Sequence, residues 1–232
     1  MALEEKKDEN ELEEDKFIKD VEKINDYQLQ HKYLFPICLL GEAGVGKTSL
    51  LTRFCDNSFK ERYNNTIGVD FRVITLKYKN IISKIHIWDT AGQERFRSLA
   101  LNYINNSQGF IFVYDITNRE SFNNIENWVN LALEKNNKNI CNFLVGNKTD
   151  KEAERKVSVK EGEILAKEKN FFFLETSAKT DDNVQKLFYY CLYRLIEYYK
   201  KHEYVENSQI SLSNSNTEEI STIRQPESKC SC

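Results

Sequence analysis

GEAGVGKT fills residues 41–48 and packs three glycines, Gly41, Gly44 and Gly46, into six positions. The whole chain of 232 residues has eight glycines, so this crowding asks for a cause. The stretch fits G-x-x-x-x-G-K-[ST]. Before it stands YLFPICLL (33–40), a short apolar run that reads as a buried strand; after it, KTSLLTRFCDNSF carries a helical period. Strand, glycine loop and helix start form the setting in which backbone N–H groups turn inward and cradle phosphate oxygens. A side chain at Gly41 or Gly46 would block that approach. The helix N-terminus adds a favourable dipole. Lys47 is placed to reach β- and γ-phosphates, and the Thr48 hydroxyl to bind Mg²⁺. A glycine-rich turn with a chance Lys-Thr is the competing reading, and it leaves the flanking strand and helix unexplained.

Outward from this loop, FRVITLKYK and KIHIWD bracket a short turn and read as a hairpin. GFIFVYD, NICNFLVGNK and FFFLET read as further strands. SFNNIENWVNLALEKN, VKEGEILAKEKN and DNVQKLFYYCLYRLIEYYKKH read as helices between and after them. This alternation predicts an α/β fold with six strands in a mostly parallel sheet and helices on both faces. Ligands of such sheets sit at the carboxyl ends of the strands.

Three more motifs fall at such ends. WDTAGQE (88–94) closes the KIHIWD strand. Asp89 can hold a metal's water shell there. Gly92 lets the backbone meet a γ-phosphate, and Gln93, both donor and acceptor, can orient an attacking water. NKTD (147–150) follows NFLVG. The Asp150 carboxylate offers two coplanar acceptors to guanine's adjacent N1–H and N2–H₂ donors, a pair that adenine lacks. Asn147 can bond the base edge, and the stem of Lys148 can cover the base face. ETSAK (175–179) follows FFFLET, where the Ala178 N–H can meet the guanine oxygen. Each motif alone reads as an ordinary turn; in this order they complete one pocket.

Composition narrows the class. Apolar content of 40% and charged content of 30% suit a globular protein with a real core. No run of eighteen apolar residues and no apolar leader is present, so an intracellular protein is expected. The net charge of −3 argues against general nucleic-acid binding. Cys38, Cys55, Cys141 and Cys191 stand among apolar neighbours and read as buried, reduced thiols. Residues 1–32 hold eleven acidic and six basic residues and read as a separate acidic extension. Phe17, Val21 and Ile24 fall at helical spacing, which allows a surface helix; the charge density favours a solvated, partly disordered segment. All nucleotide motifs lie beyond it, so it is expected to be dispensable for GTP binding.

With these motifs in order, the chain resembles the Ras-like small GTPases over about residues 33–203. TIGVDF (66–71) and WDTAGQERF (88–96) look like the Rab branch. RFRSLALNY, LVGNKTDKEAERKVSVKEG and SAKTDDNVQ are similar to the Rabs of endoplasmic reticulum and lipid droplets. The resemblance implies a P-loop GTPase fold and a switch of vesicle and organelle traffic, cycling between GDP and GTP. It extends the nucleotide-binding set to Gly41, Glu42, Ala43, Gly44, Val45, Gly46, Lys47, Thr48, Ser49, Thr66, Gly92, Asn147, Lys148, Asp150, Ser177, Ala178 and Lys179. It makes Thr66 the switch threonine, a third Mg²⁺ partner beside Thr48 and Asp89. It assigns catalysis to Gln93, Lys47 and Thr66, and an effector patch to Ile67, Phe71, Trp88 and Tyr103. Unaided turnover in such switches is slow, on the order of 10⁻⁴ s⁻¹, and an activating protein raises it up to ~10⁵-fold. Arg95 and Arg97 lie near the switch but read as surface charge. The implied partners are an exchange factor, a GTPase-activating protein, effectors and an escort that inhibits GDP dissociation.

Some positions depart from the Rab pattern. YINNSQG (103–109) stands where Rabs commonly show YYRGAxG, and Ala43 where many carry Ser. Two other functions compete: a GTP-binding scaffold without hydrolysis, against which Gln93 and Thr66 argue, and an ATP-dependent kinase, against which Asp150 argues. Residues 204–232 are polar and read as a flexible tail ending in Cys230-Ser-Cys232. Idle thiols or a metal pair are the plain readings of these cysteines. The resemblance implies instead two geranylgeranyl groups, which give the two signals that stable anchoring takes. That places the protein on the cytoplasmic face of an intracellular membrane (endoplasmic reticulum, Golgi or vesicle), with an escorted cytosolic pool.

Overall fold

The computed structural model describes residues 15–24, 29–61, 66, 68–90, 92, 97–136 and 140–218; for 97–100 and 203–218 it describes the backbone alone. Helix α1 covers residues 15–20 of the described chain. There follow β1 (Glu22–Ile24), β2 (Tyr33–Leu40), α2 (Lys47–Asp56), β3 (Val69–Tyr78), β4 (Ile81–Thr90), α3 (Arg97–Ile104) and β5 (Gly109–Asp115). The second half holds α4 (Arg119–Asn123), α5 (Ile125–Lys135), β6 (Cys141–Asn147), a 3₁₀ turn (Thr149–Glu154), α6 (Val159–Lys169), β7 (Phe172–Thr176) and α7 (Val184–Glu218).

The strands form one sheet in the order β1-β3-β4-β2-β5-β6-β7. β4, β2, β5, β6 and β7 run parallel, while β3 is antiparallel to β4 and β1 to β3. The sequence predicts six strands; the described residues form seven. The extra strand comes from the acidic extension, where Glu22, Lys23 and Ile24 pair with Lys77, Leu76 and Thr75.

Alternate side chains of a strand face opposite ways, and both faces here are covered. Cys38 and Leu40 of β2 join Phe110 and Phe112 of β5, Trp128 and Val129 of α5, and Ala166 of α6 in one core. On the other face Phe54 of α2 stacks on Phe188 of α7 at 4.2 Å, and Phe143 of β6 meets Tyr190 of α7. β5 is buried at every residue, as a central parallel strand must be. The helix expected over SFNNIENWVNLALEKN is two helices, α4 and α5, meeting at Asn124. The last helix is longer than its apolar period suggests and runs to Glu218. Its part from Ile196 belongs to a second compact unit. Within that unit Tyr198 stacks on His202 at 3.9 Å. Among the described residues no helix is long and apolar enough to cross a membrane.

Because β2, β4, β5, β6 and β7 are parallel, their carboxyl ends share one edge. The antiparallel β3 starts at that edge, with Asp70 opposite Asp89. Residues before β3 are thereby brought to the loop after β2. The thiols behave as expected in part: Cys38, Cys141 and Cys191 are buried, while Cys55 is half-buried.

Residues 15–24 are not a solvated extension. Phe17 is 1% exposed, with its ring 4.2 Å from that of Tyr78 and 5.1 Å from that of Tyr193. Val21 is buried too. The helical spacing of Phe17 and Val21 thus marks a packed face, and charge density was a poor guide because the acids project away from it. Truncating a buried Phe costs about 3–5 kcal/mol in transfer and cavity terms. Phe17→Ala is therefore expected to lower the urea unfolding free energy by about 3 kcal/mol. A loss under about 1 kcal/mol would mean that the segment does not hold the domain together.

Candidate functional site

The loop between β2 and α2 has positive φ at Gly41 (145°), Gly44 (79°) and Gly46 (101°). The close approach that removes side chains is to protein atoms. A Cβ on Gly41 would overlap the Val113 carbonyl of β5, and one on Gly46 would overlap the Asn147 amide. These protein contacts require glycine at both positions in addition to any approach by phosphate. A Cβ on Gly92 would overlap Glu42 and the Ala43 N–H, so the backbone after β4 lies directly on the loop. Lys47 is 5% exposed and curls back over this loop, donating to Gly41 O (2.7 Å) and Glu42 O (2.9 Å). Burial pulls its amine down to about 8, against the pull of Asp89 and Glu42. A desolvated ammonium bonded to two neutral carbonyls is suited to receive an anion. The Glu42 carboxylate accepts from the indole of Trp128 (3.0 Å), which fastens the loop to α5.

Beside Lys47 three oxygen-bearing side chains meet. Thr48 Oγ1 lies 2.7 Å from Thr66 Oγ1 and donates to Asp89 Oδ2 at 2.5 Å. Asp89 is fully buried, and its Oδ1 has no hydrogen-bond partner among the described residues. Burial raises its carboxyl to about 6, though Thr48 and Lys47 pull it down. An unpartnered buried carboxylate oxygen beside two hydroxyls is a set of hard donors.

The ends of β6 and β7 build the opposite wall. Asn147 is 1% exposed; its Nδ2 donates to Val45 O of the glycine loop at 2.8 Å. Its Oδ1 accepts from Thr176 Oγ1 (3.2 Å) and Ala178 N (3.4 Å). One amide therefore ties three loops together, a task that the sequence did not suggest for it. Ser177 Oγ donates to Asp150 Oδ1 at 2.6 Å and sets that carboxylate's plane. Lys148 adopts a left-handed φ of 74°, and its amine pairs with Asp115 Oδ2 at 2.6 Å. A cavity of about 720 Å³ runs between the two walls, lined by Gly44, Gly46, Thr48 and Ser49 at one end and by Asn147, Lys148, Asp150, Ala178 and Lys179 at the other. That volume falls within the range of small-molecule sites.

Three of the four expected patch residues come together. Phe71 stacks on Trp88 at 4.1 Å, and Trp88 packs on Tyr103 at 4.2 Å. Phe71 is 38% exposed, so the stack reaches the surface. Ile67, Gln93, Arg95, Cys230 and Cys232 lie outside the described residues, as does the side chain of Arg97. Three contributors were missed from sequence. Asp115 ends β5, and the strand-end logic used for Asp89 could have found it. Arg53 and Trp128 act through contacts far along the chain, where no local signal exists. Arg53 donates to Ala178 O (2.8 Å) and Lys179 O (2.9 Å) from the last turn of α2.

Residues 36–197 match the model of the Ras family. The chain is 41% identical over 203 residues to Ras-related protein Rab-1 of Theileria annulata, covering 87% of this chain and 91% of that one. It is 46% identical over 160 residues to Rab-1 of Theileria parva, covering 68% and 73%. It is also 47% identical over 159 residues to Ras-related protein RIC1 of rice, Oryza sativa subsp. japonica, covering 68% and 79%. The chain belongs to the Rab family of Ras-like small GTPases. This Rab is a GTPase, a switch of vesicle traffic that cycles between GTP- and GDP-bound states, and its family works through regulators and effectors. The mostly parallel sheet with its ligand loops at the carboxyl edge is the P-loop GTPase fold.

Proposed function

We propose that the cavity holds the guanine nucleotide lengthwise, phosphates at Gly41–Ser49 and base between Asn147–Asp150 and Ser177–Lys179. The observation that carries this reading is the shared cavity of the glycine loop and the Ser177-oriented Asp150 carboxylate. Lys47 meets the β- and γ-phosphates, whose charge favours its ammonium form. Asp150 accepts from N1–H and N2–H₂ of guanine, Ala178 N–H faces the guanine oxygen, and the stem of Lys148, tethered by Asp115, covers the base.

Thr48, Thr66 and Asp89 fit Mg²⁺: all three offer oxygen, and Asp89 Oδ1 is buried without a partner. Bound there, Mg²⁺ supplies positive charge to the phosphate oxygens. Thr66 also reads the γ-phosphate through its N–H, and Gly92 does so from its seat on the loop. Loss of that phosphate removes both tethers and frees the segments before β3 and after β4. Gln93 orients the attacking water. Hydrolysis without an activating protein is slow, on the order of 10⁻⁴ s⁻¹.

The effector patch is assigned to Ile67, Phe71, Trp88 and Tyr103, the last three of which stack on one another. An exchange factor, an activating protein and an escort complete the cycle. The domain is taken as residues 33–203 with 15–24 packed on it, and 204–232 as its tail. Geranylgeranyl groups on Cys230 and Cys232 anchor that tail to the cytoplasmic face of an endomembrane, of endoplasmic reticulum, Golgi or vesicle. Of that tail, residues 204–218 continue helix α7 rather than forming the flexible coil expected from their polarity.

Two experiments test this reading. Asp150→Asn presents an NH₂ to the carbonyl that xanthine carries in place of guanine's amine, so preference should move from GTP to xanthosine triphosphate. Unchanged preference in competition binding would sink the base-pocket assignment. Mass spectrometry of the C-terminal peptide from cells should find two geranylgeranyl thioethers. Two bare thiols, with membrane recovery unchanged after deletion of 230–232, would end the lipid assignment.

A further inference from the structure

We propose that the N-terminal segment positions the base loop, Ser177–Asn183, and that Lys23 is the residue through which it acts. This rests on the reading that the loop receives guanine. Lys23 sits on β1, and its amine reaches across to two elements. It donates to the backbone carbonyl of Phe54, in the last turn of α2, and to Gln185 Oε1 at 2.9 Å, in the first turn of α7. It also stands 4.0 Å over the Phe54 ring.

These two elements bracket the base loop. Arg53, next to Phe54, grips the loop by Ala178 O and Lys179 O, and holds Asn57 at the helix end by its other nitrogen. Gln185 lies just beyond Asn183 and reaches back to Asp181 Oδ1 at 3.5 Å. Asp181 and Asn183 both hold positive φ, 65° and 54°, so the loop is a tight turn whose shape depends on its anchors. Asn183 supplies one anchor from within, donating to Glu175 O at 2.9 Å. Lys23 supplies the outer one, joining the end of α2 to the start of α7.

The attachment of Lys23 is itself firm. Phe17 and Val21 bury the preceding residues, and the β1–β3 ladder fixes the direction of the side chain. A cation at a helix C-terminus that bonds a terminal carbonyl also complements the helix dipole. The bond to Phe54 is partly buried, and the bond to Gln185 faces solvent. Residues 15–24 are thus expected to slow nucleotide release, against the expectation that the extension is dispensable.

The test measures GDP release from the full chain with a fluorescent GDP and Mg²⁺ present. Lys23→Met keeps the apolar stem and removes the charge. It should release GDP about tenfold faster, equivalent to ~1.4 kcal/mol. Lys23→Arg should restore slow release. Gln185→Leu should speed release as well, and the Lys23→Met/Gln185→Leu double variant should be no faster than the faster single, since both cut one link. Release from Lys23→Met at the wild-type rate would overturn the proposal. So would faster release that Arg does not rescue and that adds to Gln185→Leu, the pattern of general loosening. Asp150→Asn is run alongside with xanthosine diphosphate. A Lys23 effect without a base switch at Asp150 shows that the base-pocket reading failed; a base switch without a Lys23 effect shows that the brace failed.

Discussion

The site depends on one buried amide. Asn147 stands at the end of β6, on the carboxyl edge, and bonds the glycine loop through Val45 and the loop after β7 through Ala178. Thr176 completes its acceptor side. Without it, the phosphate end and the base end would be two loop systems on separate strands, each free to set its own distance. A buried amide bonded to three partners is strongly directional, and leaving those partners unmade costs about 1–3 kcal/mol for each. Gly46 is bare because this amide lies against it. The glycine motif and the NKTD motif are therefore parts of one contact, which neither motif reveals alone.

What could be read from sequence was what is local or chemically stereotyped. YLFPICLL, GFIFVYD and the two hairpin strands carry their period in a few residues, and all are strands. The order strand–loop–helix placed Lys47, Thr48, Asp89, Asp150 and Ala178 at one edge, where they are. What could not be read was which distant atoms close each contact. Phe17 shows only a helical spacing in an acidic run; its burial comes from Tyr78 and Tyr193, far along the chain. The seventh strand is three residues long and has no strand signal of its own beyond β3's unpaired edge. Arg53 reads as one more cation on an amphipathic helix.

On the proposed reading, the Thr48–Thr66–Asp89 cluster links the phosphate end of the ligand to a surface. Thr66 precedes β3 and touches Thr48. Phe71, five residues on, stacks on Trp88, whose neighbour Asp89 receives the Thr48 hydroxyl. Trp88 in turn carries Tyr103 of α3. On the proposed reading, release of Thr66 would act on the register-locked start of β3, the strand that carries the exposed edge of Phe71. The aromatic stack is packed enough to be part of the core and exposed enough to be read by a partner.

The most direct test of the Asn147 bridge is the GDP affinity of Asn147→Ala in the full chain, with the unfolding midpoint measured on the same sample. The Val45 carbonyl, the Ala178 N–H and the Thr176 hydroxyl then lose a partner while every other contact stays. GDP affinity is expected to fall about 100-fold, equivalent to ~2.7 kcal/mol, in a protein that still unfolds cooperatively. Affinity within about threefold of the unaltered chain would mean that the two ends of the site hold their spacing without Asn147, and would contradict the account.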